Sequence, residues 1–357
     1  DGKGNFTNES ATRLPFMDCS GMRATAADYD NDGDQDLFIG GRQTPGQYPM
    51  SPRSFLLRNE KGIFTDATIE SPELVNAGMI TESIFDDYDK DGDLDLICVG
   101  EWMPVSFFEN TNGHFVNATS KMGMSKTNGW WMSVSAGDFN GDGKNDYVVG
   151  NIGENNKFHP SEKYPLEIYL NDFDKNSMPD IVLGKYQDGR CFPVRGRQCS
   201  SEQMPFIKEK FPTYNDFALA DLKAIYGEEN LKASIHFSAY EFRSSVLLSK
   251  GTGYEIKPLP VYAQLGPLNK TLVYDFDKDG HLDILGVGNN FSAEVETIRY
   301  DGGRGVLLLG DGNGNFRQLS PVESGFFVNT DAKDMVLIGE VIFVCSNNAP
   351  VFSFHIN

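Results

Sequence analysis

Short apolar runs alternate with polar turns along this chain, and two arrangements of them recur. Four segments share the first: "SFLLRNEKGIFTDAT" (54–68), "VSFFENTNGHFVNAT" (105–119), "SVLLSKGTGYEIKPL" (245–259) and "GVLLLGDGNGNFRQL" (305–319). In each, two runs of alternating apolar and polar residues flank a turn carrying Gly or Asn, the signature of a β-hairpin. The second arrangement is an acidic turn set between apolar runs. It reads "DYDNDGDQDLFIGG" from Asp28, "DYDKDGDLDLICVG" from Asp87, "DFNGDGKNDYVVGN" from Asp138 and "DFDKDGHLDILGVG" from Asp275. A degenerate copy, "DFDKNSMPDIVLG", starts at Asp172, and "NTDAKDMVLIG", from Asn329, reads as a sixth that has lost its acidic pattern.

Joined in order, the two arrangements give strand, acidic loop, strand, connection and hairpin, or four antiparallel strands in roughly 50–60 residues. Such units repeated around an axis predict an all-β chain folded as a β-propeller of four-stranded blades. Six units can be counted over a single domain, 1–357, and the long interval between Asp172 and Asp275 leaves room for a seventh. Part of that interval, "MPFIKEKFPTYNDFALADLKAIYGEENL" (204–231), has helical spacing broken at Pro212. Residues 190–243 therefore read as an inserted, partly helical excursion. The chain opens on "DGKGNF", the second half of a hairpin, and ends on "PVFSFHIN", a first half. Their pairing would complete the last blade and remove its free edges. An opening of that kind, without Met or signal peptide, is expected of a piece of a longer chain.

The acidic turns carry the chemistry. Six of the ten residues from 86 to 95 are aspartate, and that much like charge is unstable without a cation. Carboxylates at positions 1, 3, 5 and 9, a backbone carbonyl at 7 and Gly at 6 for the bend make an all-oxygen cage. Its expected members are Asp28, Asp30, Asp32, Asp34 and Asp36 in the first loop and Asp87, Asp89, Asp91, Asp93 and Asp95 in the second. The third has Asp138, Asn140, Asp142, Lys144 and Asp146, and the fifth Asp275, Asp277, Asp279, His281 and Asp283. Asp34, Asp93, Lys144 and His281 stand at position 7 and would contribute carbonyls. The fourth loop offers Asp172, Asp174, Asn176 and Asp180, with Ser177 where the others have Gly. A flexible oxygen cage suits Ca²⁺ better than Mg²⁺, so about three to five calcium ions are expected. An EF-hand is excluded, because position 12 is Ile39, Cys98, Val149 or Gly286 rather than Glu and the flanks are strand-like.

Charge supports a cation-binding reading: 51 acidic residues stand against 31 basic ones, a formal net of −20. Such a surface repels nucleic acid, and no run of eighteen apolar residues is present to span a bilayer. Of the five cysteines, Cys98 and Cys345 lie in apolar runs and are expected to be buried. Cys191 and Cys199 are spaced so that a disulfide is open to them, and Cys19 is left over. Asn5, Asn8, Asn117 and Asn269 head N-glycosylation sequons.

With these motifs in view, the chain resembles the FG-GAP/VCBS repeats, the calcium-loop blades of integrin α-subunit propellers and many bacterial surface proteins. "GEWMPVSFFEN", "NGWWMSVSAGDFNGDGKND" and "MPFIKEKFPTYNDFA" resemble, more narrowly, bacterial VCBS proteins associated with ASPIC/UnbV domains and related to cartilage acidic protein. The resemblance implies a propeller in an extracellular or outer-surface setting, and the chain departs from its pattern at Ser177 and in the last unit.

If every acidic turn joins first and second strands, the ions share one face and the second-to-third connections emerge on the other, where irregular loops on a rigid scaffold favour recognition. Arg42, Glu101, Trp102, Asn151, Glu154, Asn155, Asn289, Asn290, Glu294, Glu296 and Arg299 are the candidates there. An aromatic beside amides and carboxylates suits a sugar ring, though Trp102 equally suits the mouth of a central channel, and one of Trp130 and Trp131 is expected between blades. The expected role is a non-catalytic binding or scaffold module, engaging another surface protein or a glycan, without a direct membrane span and open to a place in a larger surface assembly. The alternative is a calcium-dependent polysaccharide-acting enzyme, although no H-E-x-x-H or G-x-S-x-G motif is present and the five histidines are scattered.

Overall fold

The computed structural model describes residues 2–293 and 298–356. Its architecture is β-propeller-like, with several four-stranded antiparallel sheets. Sheet I consists of β1 (Ser20–Ala27), β2 (Asp36–Gln43), β3 (Phe55–Glu60) and β4 (Ile63–Asp66), paired in chain order. Sheet II follows with β5 (Met79–Asp86), β6 (Asp95–Met103), β7 (Ser106–Thr111) and β8 (His114–Asn117), and a short β9 (Gly129–Trp130) pairs on the far end of β6. Sheet III opens with β10 (Ser133–Gly137) and β11 (Asp146–Gly150). An inserted sheet then intervenes, of β12 (Leu166–Asn171), β13 (Asp180–Gln187), β14 (Arg190–Pro193) and β15 (Ile235–Ala239). Sheet III resumes with β16 (Ser245–Lys250), which pairs with β11, and β17 (Gly253–Pro258). Sheet IV is β18 (Leu268–Tyr274), β19 (Asp283–Gly288), β20 (Val306–Gly310) and β21 (Phe316–Leu319). Sheet V has three strands, β22 (Ala332–Ile338), β23 (Val341–Ser346) and β24 (Phe352–His355).

All four predicted hairpins form, as β3–β4, β7–β8, β16–β17 and β20–β21. Apolar alternation is what fixes their faces: a period of two puts every second side chain under the sheet. Cores accordingly lie between neighbouring sheets. Tyr29, Phe38, Leu56 and Phe115 fill the space between I and II. Phe107, Trp131, Tyr147 and Leu247 fill that between II and III, Val148, Ile284 and Leu308 that between III and IV, and Leu285, Met335 and Val344 that between IV and V. Trp131 is fully buried, the between-sheet residue expected of the tryptophan pair. The first strands β1, β5, β10, β18 and β22 pack side by side in that order. Arg23 of β1 reaches Asp334 of β22 at 3.2 Å and Glu82 of β5 at 3.3 Å, and Lys270 of β18 also pairs with Glu82.

Residues 190–243 are partly helical, with five short helices between Arg197 and Lys232, and also supply β14 and β15. Three expectations change. The interruption of sheet III runs from 151 to 244, and β15 returns to pair with β12, a long-range contact that no local pattern encodes. The insert has its own core (Phe173, Ile207, Phe217, Ile225) and docks through a second one, where Trp102, Phe158, Ile168 and Phe242 meet. "NTDAKDMVLIG" is not a sixth acidic loop: most of it is β22, and the β22–β23 turn is only Gly339–Glu340. Nor do the two ends complete sheet V. Residues 2–19 form no strand, and Arg13 instead donates to the Gly62 carbonyl at the turn between β3 and β4.

Among the cysteines, Cys98 is buried, as its run predicts, but Cys345 is exposed. Val344 points into the core, so alternation along β23 turns Cys345 outward. Cys191 is a half-buried thiol, so the 191–199 disulfide is absent.

Candidate metal centres

Each acidic loop joins two paired strands: β1–β2, β5–β6, β10–β11, β12–β13 and β18–β19. One hydrogen-bond scheme shapes all five. The position-1 carboxylate accepts from the backbone N–H groups of position 5, position 6 or both. Asp28 takes Asp32 and Gly33, each at 3.0 Å, and Asp275 takes Asp279 at 3.1 Å and Gly280 at 2.9 Å. Asp138 and Asp172 repeat this pair, while Asp87 takes Gly92 alone at 3.2 Å. The bend at position 6 puts Gly33, Gly92, Gly143 and Gly280 at φ of 96°, 99°, 82° and 90°, a region open mainly to glycine.

Ser177 adopts the same left-handed φ, 69°, and the fourth loop closes like the rest despite it. The departure in sequence therefore leaves the cage shape intact and shows up as backbone strain. Replacing Ser177 with Gly is expected to stabilise the chain by about 0.5–1 kcal/mol, the cost of a side chain in this region less the extra freedom of unfolded glycine. Guanidinium unfolding of Ser177→Gly checks this, and an unchanged or lowered midpoint would count against it.

Position 9 has a second task that the sequence does not reveal. Asp36, Asp95, Asp146, Asp180 and Asp283 are all buried. One oxygen of each accepts the backbone N–H of position 2, from Tyr29, Tyr88, Phe139, Phe173 or Phe276, at 2.8–3.3 Å. The other reaches the neighbouring strand: Asn59 at 2.7 Å, Asn110 at 2.8 Å, Ser249 at 2.6 Å and Gly310 at 2.9 Å, with the Gln203 amide at 3.2 Å for Asp180. These aspartates staple each loop to its sheet. Position 2 is aromatic in every copy, and Tyr29, Tyr88, Phe139 and Phe173 are buried beneath their loops. That recurrence in the sequence was the available signal for an anchoring residue.

Electrostatics favour a cation. Burial, helped by neighbouring carboxylates, pushes Asp36 up to about 6 and Asp95 up to about 7. Burial likewise raises Asp146, Asp180 and Asp283. A positive ion reverses such a penalty by favouring the charged form. Carboxylate oxygens of Asp28, Asp30 and Asp32 lie within 4.8 Å of one another, as do those of Asp87, Asp89 and Asp95, of Asp172, Asp174 and Asp180, and of Asp275, Asp277 and Asp279. The third loop has Asn140 at position 3, whose Oδ1 accepts from Asp142 N at 2.9 Å. Two buried oxygens, Asp30 Oδ1 and Asp87 Oδ1, have no hydrogen-bond partner, an expense that buried polar atoms rarely bear. Oxygen-only donors, convergence and orphaned lone pairs fit a hard divalent cation.

The second set of expected residues is dispersed. Arg42 pairs with Glu101, Tyr48 Oη donates to Glu101 at 3.1 Å, and Trp102 Nε1 donates to Tyr48 Oη at 2.6 Å. Trp102 is buried against Trp130, so it offers no stacking face to solvent. Asn151 and Asn289 are fully buried and tie connections together: Asn151 Nδ2 to the Glu241 carbonyl at 2.9 Å, and Asn289 Nδ2 to those of Gly303 and Thr330 at 3.1 and 3.0 Å. Asn155 Nδ2 donates to the Leu265 carbonyl at 3.1 Å, and Glu154 is exposed. Arg299 covers the Phe291 ring at 4.1 Å. Asn290 lines an open hollow. Glu294 and Glu296 lie outside the described residues.

Among curated proteins, none matches the chain. Among solved structures, similarity extends to an Agrocybe aegerita lectin that recognises non-reducing terminal N-acetylglucosamine, at 13% identity, covering 94% of this chain and 80% of that one, with a TM-score of 0.32. It extends also to the V. cholerae biofilm matrix protein Bap1, at 11% identity, covering 93% and 68%, with a TM-score of 0.33. Residues 87–149, which run from the second acidic loop to the strand after the third, match the family model of the FG-GAP-like repeat.

Proposed function

We propose that this chain is a calcium-stabilised, non-catalytic binding module of the extracellular or outer-surface space, engaging a glycan or another surface protein through the face remote from its acidic loops. The single observation that carries the reading is a division of labour along the strands. The acidic loops sit at one end of the paired strands, while the open hollows around Lys157, Lys185 and Asn290 gather at the other. Calcium would be held by positions 1, 3 and 5, by position 9 where its lone pairs allow, and by the position-7 carbonyl, and would supply structural charge compensation rather than reaction chemistry. Five sheets arranged around the Arg23–Glu82–Lys270 cluster, with the sixth inserted, form the proposed scaffold; the narrower likeness to ASPIC/UnbV-associated proteins stands as a proposal with it.

Among the described residues, one trio of catalytic residue types clusters on the inserted sheet. Glu167 Oε2 meets both His236 Nε2 and Ser238 Oγ at 2.6 Å. The serine donates to the glutamate rather than to the histidine, so the three do not form a serine–histidine–acid relay. The test is to incubate the chain, in calcium, with a panel of oligosaccharides and to measure both retention and product length. Retention of intact oligomers is expected, and shortened products would replace the binding module with the polysaccharide-acting enzyme.

A further inference from the structure

Sheet V is one strand short. Sheets I to IV each end on an outer strand that follows a hairpin turn, whereas β24 has no partner on its outer side among the described residues. The Ile356 N–H donates inward, to the Glu340 carbonyl at 2.9 Å. Hydrogen bonding alternates along an antiparallel strand, so Ser353 and His355 turn their N–H groups outward, to the open edge. An edge of this kind is a template for another strand.

The missing strand leaves a hollow. In sheets II, III and IV the outer strand carries an aromatic ring that covers the position-2 aromatic of the preceding acidic loop. Phe115 of β8 packs on Tyr29 with ring centres 5.6 Å apart, Phe316 of β21 packs on Phe139 at 5.3 Å, and Tyr254 of β17 joins the core that holds Tyr88. Sheet V supplies no such ring to Phe276. Tyr29, Tyr88 and Phe139 are buried, but Phe276 is part-exposed. With Leu285, Leu307, Phe354 and Ile356 it lines a hollow of about 480 Å³.

The chain also carries an outer strand that has no sheet. "DGKGNFTNES" (1–10) is identical at six of ten positions to "DGNGNFRQLS" (311–320), which forms the turn and outer strand of sheet IV. The backbones agree. Gly2 and Gly4 stand at φ of 71° and 85°, Gly312 and Gly314 at 69° and 72°, and a four-residue helix follows each segment, Ser10–Arg13 and Pro321–Ser324. Phe6 holds the place of Phe316, yet it is 96% exposed. Its segment is held at sheet I, where Arg13 donates to the Gly62 carbonyl at 3.1 Å, so strand and hollow do not meet within one copy.

We propose that two copies of this chain exchange these segments, residues 4–9 of each adding to β24 of the other as its fourth strand. Sheet IV supplies the register. Ile342 of β23 faces sheet IV as Ile284 of β19 faces sheet III, and their partners on the next strand are Phe354 and Leu308. The Gly310–Phe316 and Leu309–Arg317 pairs of sheet IV therefore correspond to Ile356–Phe6 and His355–Thr7. Phe6 enters the hollow beside Phe276, and the outward N–H of His355 donates to the Thr7 carbonyl. Reciprocal exchange makes two identical contacts and a closed pair. The contact is independent of the ligand and of the recognition face.

Sedimentation velocity of the full chain in calcium, over a concentration series, tests this. A rise from the 39.6 kDa of one chain to twice that mass is expected. Phe6→Ser removes a ring that touches solvent in the single copy, and His355→Pro removes an N–H that β23 does not use. Each should weaken association at least roughly tenfold, and the unfolding temperature of dilute Phe6→Ser should be unchanged. A mixture of the two variants keeps one intact segment and one intact edge, so it should pair more readily than either variant alone. A single-chain mass at every concentration overturns the proposal, closure of sheet V within one copy included. A pair that survives either substitution, or a mixture that shows no rescue, overturns it as well, because association then runs through another surface.

Discussion

Removing calcium with EGTA is expected to lower the unfolding temperature of this chain by roughly 10 °C or more relative to 5 mM Ca²⁺. Extracellular calcium modules bind with Kd roughly 10⁻⁴–10⁻³ M, so each occupied loop adds on the order of 1–2 kcal/mol at millimolar calcium. Three to five such loops give a total that is large for one chain, even though a single kcal/mol moves a protein of this length by only about 2 °C. The effect should be divisible by loop. Asp91→Ala removes the position-5 carboxylate of the second loop, whose present contact is one acceptance from Asp93 N at 3.0 Å. In calcium it should cost about 1–2 kcal/mol, and in chelator a few tenths at most, because repulsion from Asp87 and Asp89 is relieved as the hydrogen bond is lost. A cost that is equal in both conditions would make Asp91 a structural residue without a metal role.

Trp131→Ala is expected to be the most damaging single substitution described here, at about 3–5 kcal/mol. Its side chain is fully buried in the core between sheets II and III, against Val105, Phe107 and Leu247, and its indole N–H satisfies the Thr127 carbonyl at 2.8 Å. Truncation leaves a cavity that neither rigid sheet can close, and it orphans a carbonyl in the connection to β10. The midpoint of guanidinium unfolding in calcium measures it. A loss below about 1 kcal/mol would mean that the two sheets are not held by this core.

What was legible in the sequence was local. Hairpins and acidic loops are written in spacings of two and in turn residues a few positions apart, and the chain reports those directly. Membership in a sheet is not written there. The loop at Asp172 looks like the next unit in a series, yet it caps a hairpin whose outer strand, β15, arrives from Ile235. The N-terminal stretch reads as half a hairpin, but a partner's availability is a property of the whole fold. The acidic side chains of four loops converge because that geometry depends only on one turn, whereas the ligand-face candidates were chosen by loop position. Burial then turned Asn151 and Asn289 into braces for connections and Trp102 into core. Position 9 was half legible: an acid was expected at a metal, and its second duty to the next strand needed the sheet to be seen.

The central claim is that these aspartate loops are calcium sites, and counting the ions tests it most directly. The chain would be dialysed to equilibrium against 1 mM CaCl₂ with an excess of MgCl₂, and its metal content measured by inductively coupled plasma mass spectrometry. Three to five calcium ions per chain, with little magnesium, is the predicted result. Fewer than one calcium per chain would contradict the account and leave the loops as solvated acidic turns held together by their own backbone hydrogen bonds.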